Sequence, residues 1–241
     1  MEEPTPEVWH NLLHRREPCA GLPLYDPLLS GSSFVLGRLA QSLDGFIATN
    51  RGESQWISGP EDIAHTHRLR AISDAVVVGA GTVRADNPQL TTRLVEGPNP
   101  VRVVLDPLGR LGAHHRVFDG TAQTLLVAAT DACVPDRVGA AQVLRVPLCG
   151  HALDLRQLVE ALGGLGLRRV FIEGGGQTVS RFLAADLLDR LHITVSPLLM
   201  GEGVKAFPLP PVSSLPNVRR FDWTTHRIGR DVLLDIDLRR E

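Results

Sequence analysis

Arg169-Val170-Phe171-Ile172-Glu173-Gly174-Gly175-Gly176-Gln177-Thr178 is the stretch that decides how this chain folds. Val170, Phe171 and Ile172 form an unbroken apolar run, the pattern of a strand buried on both faces. A helical pattern over Thr178–Ala185 follows the glycines. Each glycine carries an entropic cost, so three in a row between strand and helix make more than a plain turn. A backbone-amide cradle for a pyrophosphate is the sharper reading, and a tight structural turn the plainer one. Glu173, at the strand end, is expected to face the cleft that opens beyond the carboxyl ends of parallel strands.

Outward from this unit the pattern repeats. Apolar runs suited to buried strands are Phe34–Ala40, Ala75–Gly79, Val101–Leu105, Thr124–Ala129, Gln142–Val146 and Leu191–Val195. Helical candidates between them are Pro60–Ala71, with Ser58 or Gly59 as cap and Glu61 and Asp62 in its first turn, and Leu153–Leu162. Arg219–Arg227 and Asp231–Leu238 alternate around Ile228-Gly229-Arg230, which reads as an antiparallel hairpin. The expected fold is a three-layer α/β/α domain with a mostly parallel central sheet of about eight or nine strands and an antiparallel C-terminal hairpin. Five prolines punctuate residues 1–31, which read as an N-terminal appendage packed on the body, with a short helix over Glu7–Arg16 carrying Trp9, Leu12 and Leu13 on one face. Residues 32–241 form the main domain.

The 241 residues carry 25 Lys+Arg against 27 Asp+Glu, a net charge of −2, which argues against a dedicated nucleic-acid binder. No run approaches the ~18–20 apolar residues of a membrane span, and the acidic start lacks a secretory pattern. Cys19, Cys133 and Cys149 are odd in number and far apart, without metal-ligand spacing; a reduced, cytoplasmic protein with no metal is expected. Lys205 is the single lysine.

Two further clusters carry chemistry. Val78-Gly79-Ala80-Gly81-Thr82-Val83-Arg84 follows a strand and opens a short helical turn, a second candidate phosphate cradle, though Arg84 stands where a dinucleotide fingerprint has its third glycine. Ser54, Arg70 and Arg93 could clamp a phosphate dianion; singly each arginine reads as a solvated surface charge. Residues suited to nucleophilic or metal catalysis are missing, while residues suited to nucleotide binding abound.

Taken in order, Ala40-Gln41-Ser42-Leu43-Asp44-Gly45, Gly52–Ser58, Val78–Thr91, Pro100–Asp106, Glu173–Gly176 and Ser196-Pro197-Leu198-Leu199-Met200-Gly201 resemble one family, the reductase domain of riboflavin biosynthesis (the RibD C-terminal family), over about residues 34–240. The resemblance implies a dihydrofolate-reductase-like fold and an NADPH-dependent reduction of 5-amino-6-(5-phosphoribosylamino)uracil, or its counterpart in the other order of deamination, by hydride transfer to ribose C1′. It implies Glu173, Arg38 and Asp86 at the reacting centre. Ser54, Arg70, Leu90 and Arg93 would lie on the substrate. Ala40, Trp56, Gly79, Gly81, Thr82, Asp86, Gly174, Gly175, Gly176, Gln177 and Thr178 would lie on the cofactor. Homodimers are common in the family.

The chain departs from the pattern in two places. Arg38 stands where many members have a lysine proposed to help proton transfer; a guanidinium stays protonated, so an acid role would pass to Glu173 or water. Pro107 stands where many have a serine on the cofactor's 2′-phosphate. Arg110 is expected to replace that contact, and NADH is left open beside NADPH. The zinc deaminase fused to some relatives needs His-x-Glu and Pro-Cys-x-x-Cys, and neither occurs. Two other readings stand beside the leading one: a pterin or dihydrofolate reductase on the same domain, and a non-catalytic nucleotide-binding protein. An unphosphorylated pterin would give Ser54, Arg70 and Arg93 no dianion to bind, and a degenerate copy would be expected to lose either the cofactor loop or the clamp.

Overall fold

The computed structural model describes residues 4–15 and 21–239, apart from the Arg15 side chain. Arg16 of the expected first helix and Cys19 lie outside them. Ten strands make the main sheet: β1 (Phe34–Ser42), β2 (Ala75–Gly79), β3 (Val101–Leu105), β4 (Thr124–Ala129), β5 (Arg137–Val138), β6 (Ala141–Val146), β7 (Arg169–Glu173), β8 (Arg190–Ser196), β9 (Trp223–Ile228) and β10 (Asp231–Asp237). Their spatial order is β9-β10-β8-β1-β7-β2-β3-β4-β6-β5. The run from β8 to β6 is parallel throughout, and the β9-β10 hairpin and β5 are antiparallel additions at the two edges.

Side chains alternate across this sheet. Leu36, Val76, Val78, Val104, Leu126 and Phe171 feed one core. Val35, Val77, Val103, Leu125, Val170 and Ile172 feed the other. The first core is covered by α1 (Pro6–Arg15), α2 (Asp26–Leu29), α3 (Pro60–Ile72) and α4 (Ala80–Asp86); the second by α5 (Leu155–Gly164) and α6 (Gly176–Ala184). Burial on both faces is why these strands read as unbroken apolar runs. Trp9, Leu12, Tyr25, Leu28 and Leu29 belong to the first core, so the N-terminal segment contributes to the same apolar layer as the sheet. Trp9 Nε1 donates to Glu96 O at 2.8 Å, which ties α1 to the loop before β3.

Boundaries moved where local chemistry overrode periodicity. β1 continues two residues beyond Ala40 because Gln41 and Ser42 still pair with Val195 and Ser196. α5 starts at Leu155, not Leu153, because the Asp154 carboxylate accepts from the amides of Arg156 (3.0 Å) and Gln157 (3.1 Å). α6 starts at Gly176, two residues before the expected Thr178, so only Gly174 and Gly175 remain in the loop. The two-residue β5 and the small ribbon of Phe46–Ala48 with Val204–Lys205 are too short to show a period.

Candidate functional site at the carboxyl edge of the sheet

β1, β7 and β2 lie side by side, and their carboxyl ends open onto one cleft of about 660 Å³, within the usual range for small-molecule sites. Two glycine turns form its wall and are fitted to each other. A Cβ on Gly79 would stand 2.7 Å from Thr178 Oγ1, and one on Gly175 would stand 2.7 Å from Thr82 Oγ1. Gly174 and Gly175 hold φ of 61° and 68°, a left-handed backbone that glycine adopts without strain. No side chain caps the start of α6, and Gly175, Gly176, Gln177 and Thr178 all line the cleft, so the helix N-terminus offers donors to an anion there.

At Gly81 and Gly174 the space where a Cβ would stand is empty. Both line the cleft, so its wall at these points is bare backbone that a flat or phosphorylated ligand can approach closely. A nicotinamide dinucleotide therefore fits these residues. Ala40, Trp56, Gly79, Thr82 and Asp86 also line the cleft. Trp56 is 75% exposed with a φ of 68°, its ring free to cover whatever binds beneath it. Arg110 is exposed and outside the cleft lining, so nothing in the geometry replaces the missing 2′-phosphate contact with it.

The floor is charged. Glu173 ends β7 and is gripped by Arg70 of α3, with Nε to Oε2 at 2.7 Å and Nη2 to Oε1 at 2.5 Å. Burial works to raise the Glu173 pKa, but the Arg70 guanidinium and the nearby Arg38 outweigh it and hold the carboxyl below its usual range. Arg70 Nη1 donates to Thr91 O at 2.9 Å, so every nitrogen of this arginine has a protein partner. Arg70 stands behind Glu173 and outside the cleft lining. Arg93 is also outside that lining and sits beside Arg70 around Thr91, with Nη1 3.1 Å from Thr91 Oγ1. Ser54 does line the cleft, and its hydroxyl donates to Asp86 at 2.8 Å. Leu90 is buried at the cleft with a φ of 56°. The three expected clamp residues thus fall into two groups, Ser54 with Asp86 and Arg70 with Arg93.

Arg38 lines the cleft from β1, in register with Glu173, and forms a buried ion pair with Asp62 of α3. Asp62 was not singled out by sequence, although an arginine inside an apolar strand run calls for a buried partner. Behind it lies a closed polar seam. Tyr25 OH is 2.8 Å from His65 Nδ1, His65 Nε2 is 3.3 Å from His192 Nδ1, and His192 Nε2 is 3.2 Å from Asp235. Burial pushes both histidines below their usual range and keeps them neutral. Two quoted motifs also meet: the Asp44 carboxylate accepts from the amides of Met200 and Gly201, which pins the 196–201 loop to the end of β1.

Fold and site together define an α/β protein with a ligand cleft at the carboxyl edge of a parallel sheet. The RibD C-terminal domain family matches residues 33–234, and this chain belongs to that family. It is 38% identical over 173 residues to the 2,5-diamino-6-ribosylamino-4(3H)-pyrimidinone 5′-phosphate reductase of Methanothermobacter thermautotrophicus, covering 70% of this chain and 79% of the relative. It is 34% identical over 223 residues to the riboflavin biosynthesis protein RibD of Chlamydia trachomatis, covering 83% of this chain and 59% of the relative. A crystal structure of a diaminohydroxyphosphoribosylaminopyrimidine deaminase/5-amino-6-(5-phosphoribosylamino)uracil reductase from Thermotoga maritima superposes with a TM-score of 0.72 at 32% identity, over 85% of this chain and 56% of that one. The chain therefore spans about four-fifths of the archaeal relative but well under two-thirds of the other two.

Proposed function

We propose that this chain is a nicotinamide-dependent reductase that converts a ribosylaminopyrimidine 5′-phosphate to its ribitylamino product by hydride transfer to ribose C1′. The observation that carries the reading is the convergence of Glu173 with the 79–82 and 174–178 glycine turns on one cleft. The names of the relatives at 38% and 32% identity supply the substrate class. Reduced nicotinamide supplies the hydride. The work left to the protein is to hold two ligands in contact, which demands position more than a strong acid or base.

The start of α6 with Gly174 and Gly175 would take the cofactor's pyrophosphate, and Ala40, Thr82 and Trp56 would flank the nicotinamide. Glu173, kept anionic by Arg70, would face the reacting end of the substrate and favour positive charge building on its nitrogen as the ribose ring opens. Arg93 would contribute charge to the phosphate end. NADPH enters this reading from the family resemblance alone, since Arg110 lies outside the cleft lining, and a cytoplasmic homodimer is its cellular form. No helix among the described residues is long and apolar enough to cross a membrane, and β9 leaves an open sheet edge with Trp223 exposed.

The test is a side-by-side assay of purified protein with NADPH and NADH. The substrates are 5-amino-6-(5-phosphoribosylamino)uracil, its 2,5-diaminopyrimidinone counterpart and dihydrofolate. Oxidation of NADPH with one of the phosphorylated pyrimidines alone is expected. Turnover of dihydrofolate without turnover of either pyrimidine would sink the reading.

A further inference from the structure

Helix α3 and the sheet exchange charges twice. Asp62, in the first turn of α3, pairs with Arg38 of β1; Arg70, in the last turn, pairs with Glu173 of β7. The two strand residues are register partners on adjacent parallel strands, so Glu173 stands between two guanidinium groups. Glu173 also attracts Arg38, and without Asp62 the arginine would turn to it. It does not turn, because Asp62 holds it. Asp62 is fully buried, and its second oxygen accepts from Thr194 Oγ1 at 2.7 Å. The groups facing Arg38 are Asp62 and His65 from α3, Glu173 from β7 and His192 from β8. Arg38 itself is 8% exposed, and its Nε has no hydrogen-bond partner. Arg38 lines the cleft while its ionic partner lies on α3.

We propose that Asp62 is a positioning residue of the reaction centre: by claiming Arg38 it fixes a permanent cation at the cleft floor and leaves Glu173 to Arg70 alone. The kinetic part of this inference rests on the reductase reading above. In it, Arg38 stabilises negative charge on the ribose oxygen as the ring opens, and the proton that oxygen takes up comes from water. Without Asp62, Arg38 swings to Glu173, and both groups leave their working places.

Two measurements decide it. With NADPH and the phosphorylated pyrimidine that the wild type turns over, Asp62→Asn is expected to lower kcat at least tenfold. The KM for NADPH should stay within about twofold, and Asp62→Glu should recover most of the rate. The second measurement needs no turnover. Lys205 is the only native lysine, so Arg38→Lys adds a single new signal to the spectrum of protein labelled with 13C-lysine. Its titration by NMR gives the proton affinity of the introduced amine directly. Adding Asp62→Asn to Arg38→Lys should lower that affinity tenfold or more, because the carboxylate that favours the charged form is gone. An unchanged lysine titration, or an Asp62→Asn enzyme with wild-type kcat, would overturn the proposal. A wild type that reduces neither pyrimidine would instead overturn the reductase reading, and the lysine titration would still decide the pairing.

Discussion

Two buried arginines at different places in the sheet behave in opposite ways. Arg102, on β3, is fully buried and satisfied on every nitrogen. Nε donates to Thr124 Oγ1 at 2.8 Å, Nη2 to Ala122 O at 2.7 Å, and Nη1 lies 3.1 Å from Asp119. Arg38, on β1, has one ionic partner, one orphaned nitrogen and an edge on the cleft. A guanidinium with all its donors spent on protein is a structural tie, because nothing remains for a ligand. A guanidinium that lines a cleft at the carboxyl edge of a parallel sheet is where binding is expected. Arg70 stands between the two: three of its five donors go to Glu173 and Thr91.

The largest effect should come from breaking the structural member of the pair. Arg102→Met strands Asp119 and several carbonyls without their donor, and should cost about 3–5 kcal/mol of folding free energy in urea titrations. If Arg102→Met unfolds with the wild-type midpoint, the distinction between the two arginines fails. Next comes Glu173→Gln, which keeps size but removes the charge that Arg70 grips. It should lower kcat/KM about 100-fold, equivalent to roughly 2.7 kcal/mol in the barrier. Steady-state kinetics on a variant with unchanged circular dichroism would check this.

Glycines sharpen the contrast between wall and scaffold. A Cβ at Gly176 would stand 2.5 Å from Ala206 O and 2.7 Å from Lys205 O. Gly176→Ala should therefore cost about 1–3 kcal/mol of stability through overpacking. Gly81→Ala meets only open cleft and lies within α4, so it should keep or slightly raise stability while weakening NADPH binding about tenfold. Calorimetry and fluorescence titration separate the two; equal loss of stability in both would contradict the geometry.

Mild acid acts on the scaffold alone. His65 and His192 are neutral in the folded protein, with their pKa values pushed below 6.5 by burial. The unfolded chain binds their protons near pH 6.5 and the native one does not, so stability is full above that pH and falls as pH drops below it. The slope should reach at most about 1.4 kcal/mol per pH unit for each histidine. His67, held at about 4 by burial and by Arg70, adds to the same limb. Flat stability between pH 6.5 and 5 would mean that the seam is not closed.

Much of the site was legible because its signals are local. A glycine has no side chain wherever it sits, so the 79–82 and 174–178 turns announced themselves, and both line the cleft. Glu173 was legible for the same reason, as the last residue of an apolar strand. Asp62 was not. On α3 it reads as a favourable first-turn acid, and only the packing of α3 over β1 reveals its partner. The histidine seam was equally silent, since Tyr25 and His65 lie 40 positions apart and His65 and His192 lie 127 apart. With Asp235 they meet only across separate elements. The clamp was half legible: the residue types pointed to an anion, but which of Ser54, Arg70 and Arg93 keeps free donors depends on their neighbours.

By itself, then, the sequence determined the order of the longer strands and helices, the two-faced burial of the sheet and the carboxyl edge as the place of the cleft. These follow from periodicities of a few residues and from the rule that ligands bind beyond the carboxyl ends of parallel strands. Only the tertiary structure decided which charges are spent and which are free. Charge pairing acts through space between elements far apart in the chain, and one guanidinium looks like another until its partners are known.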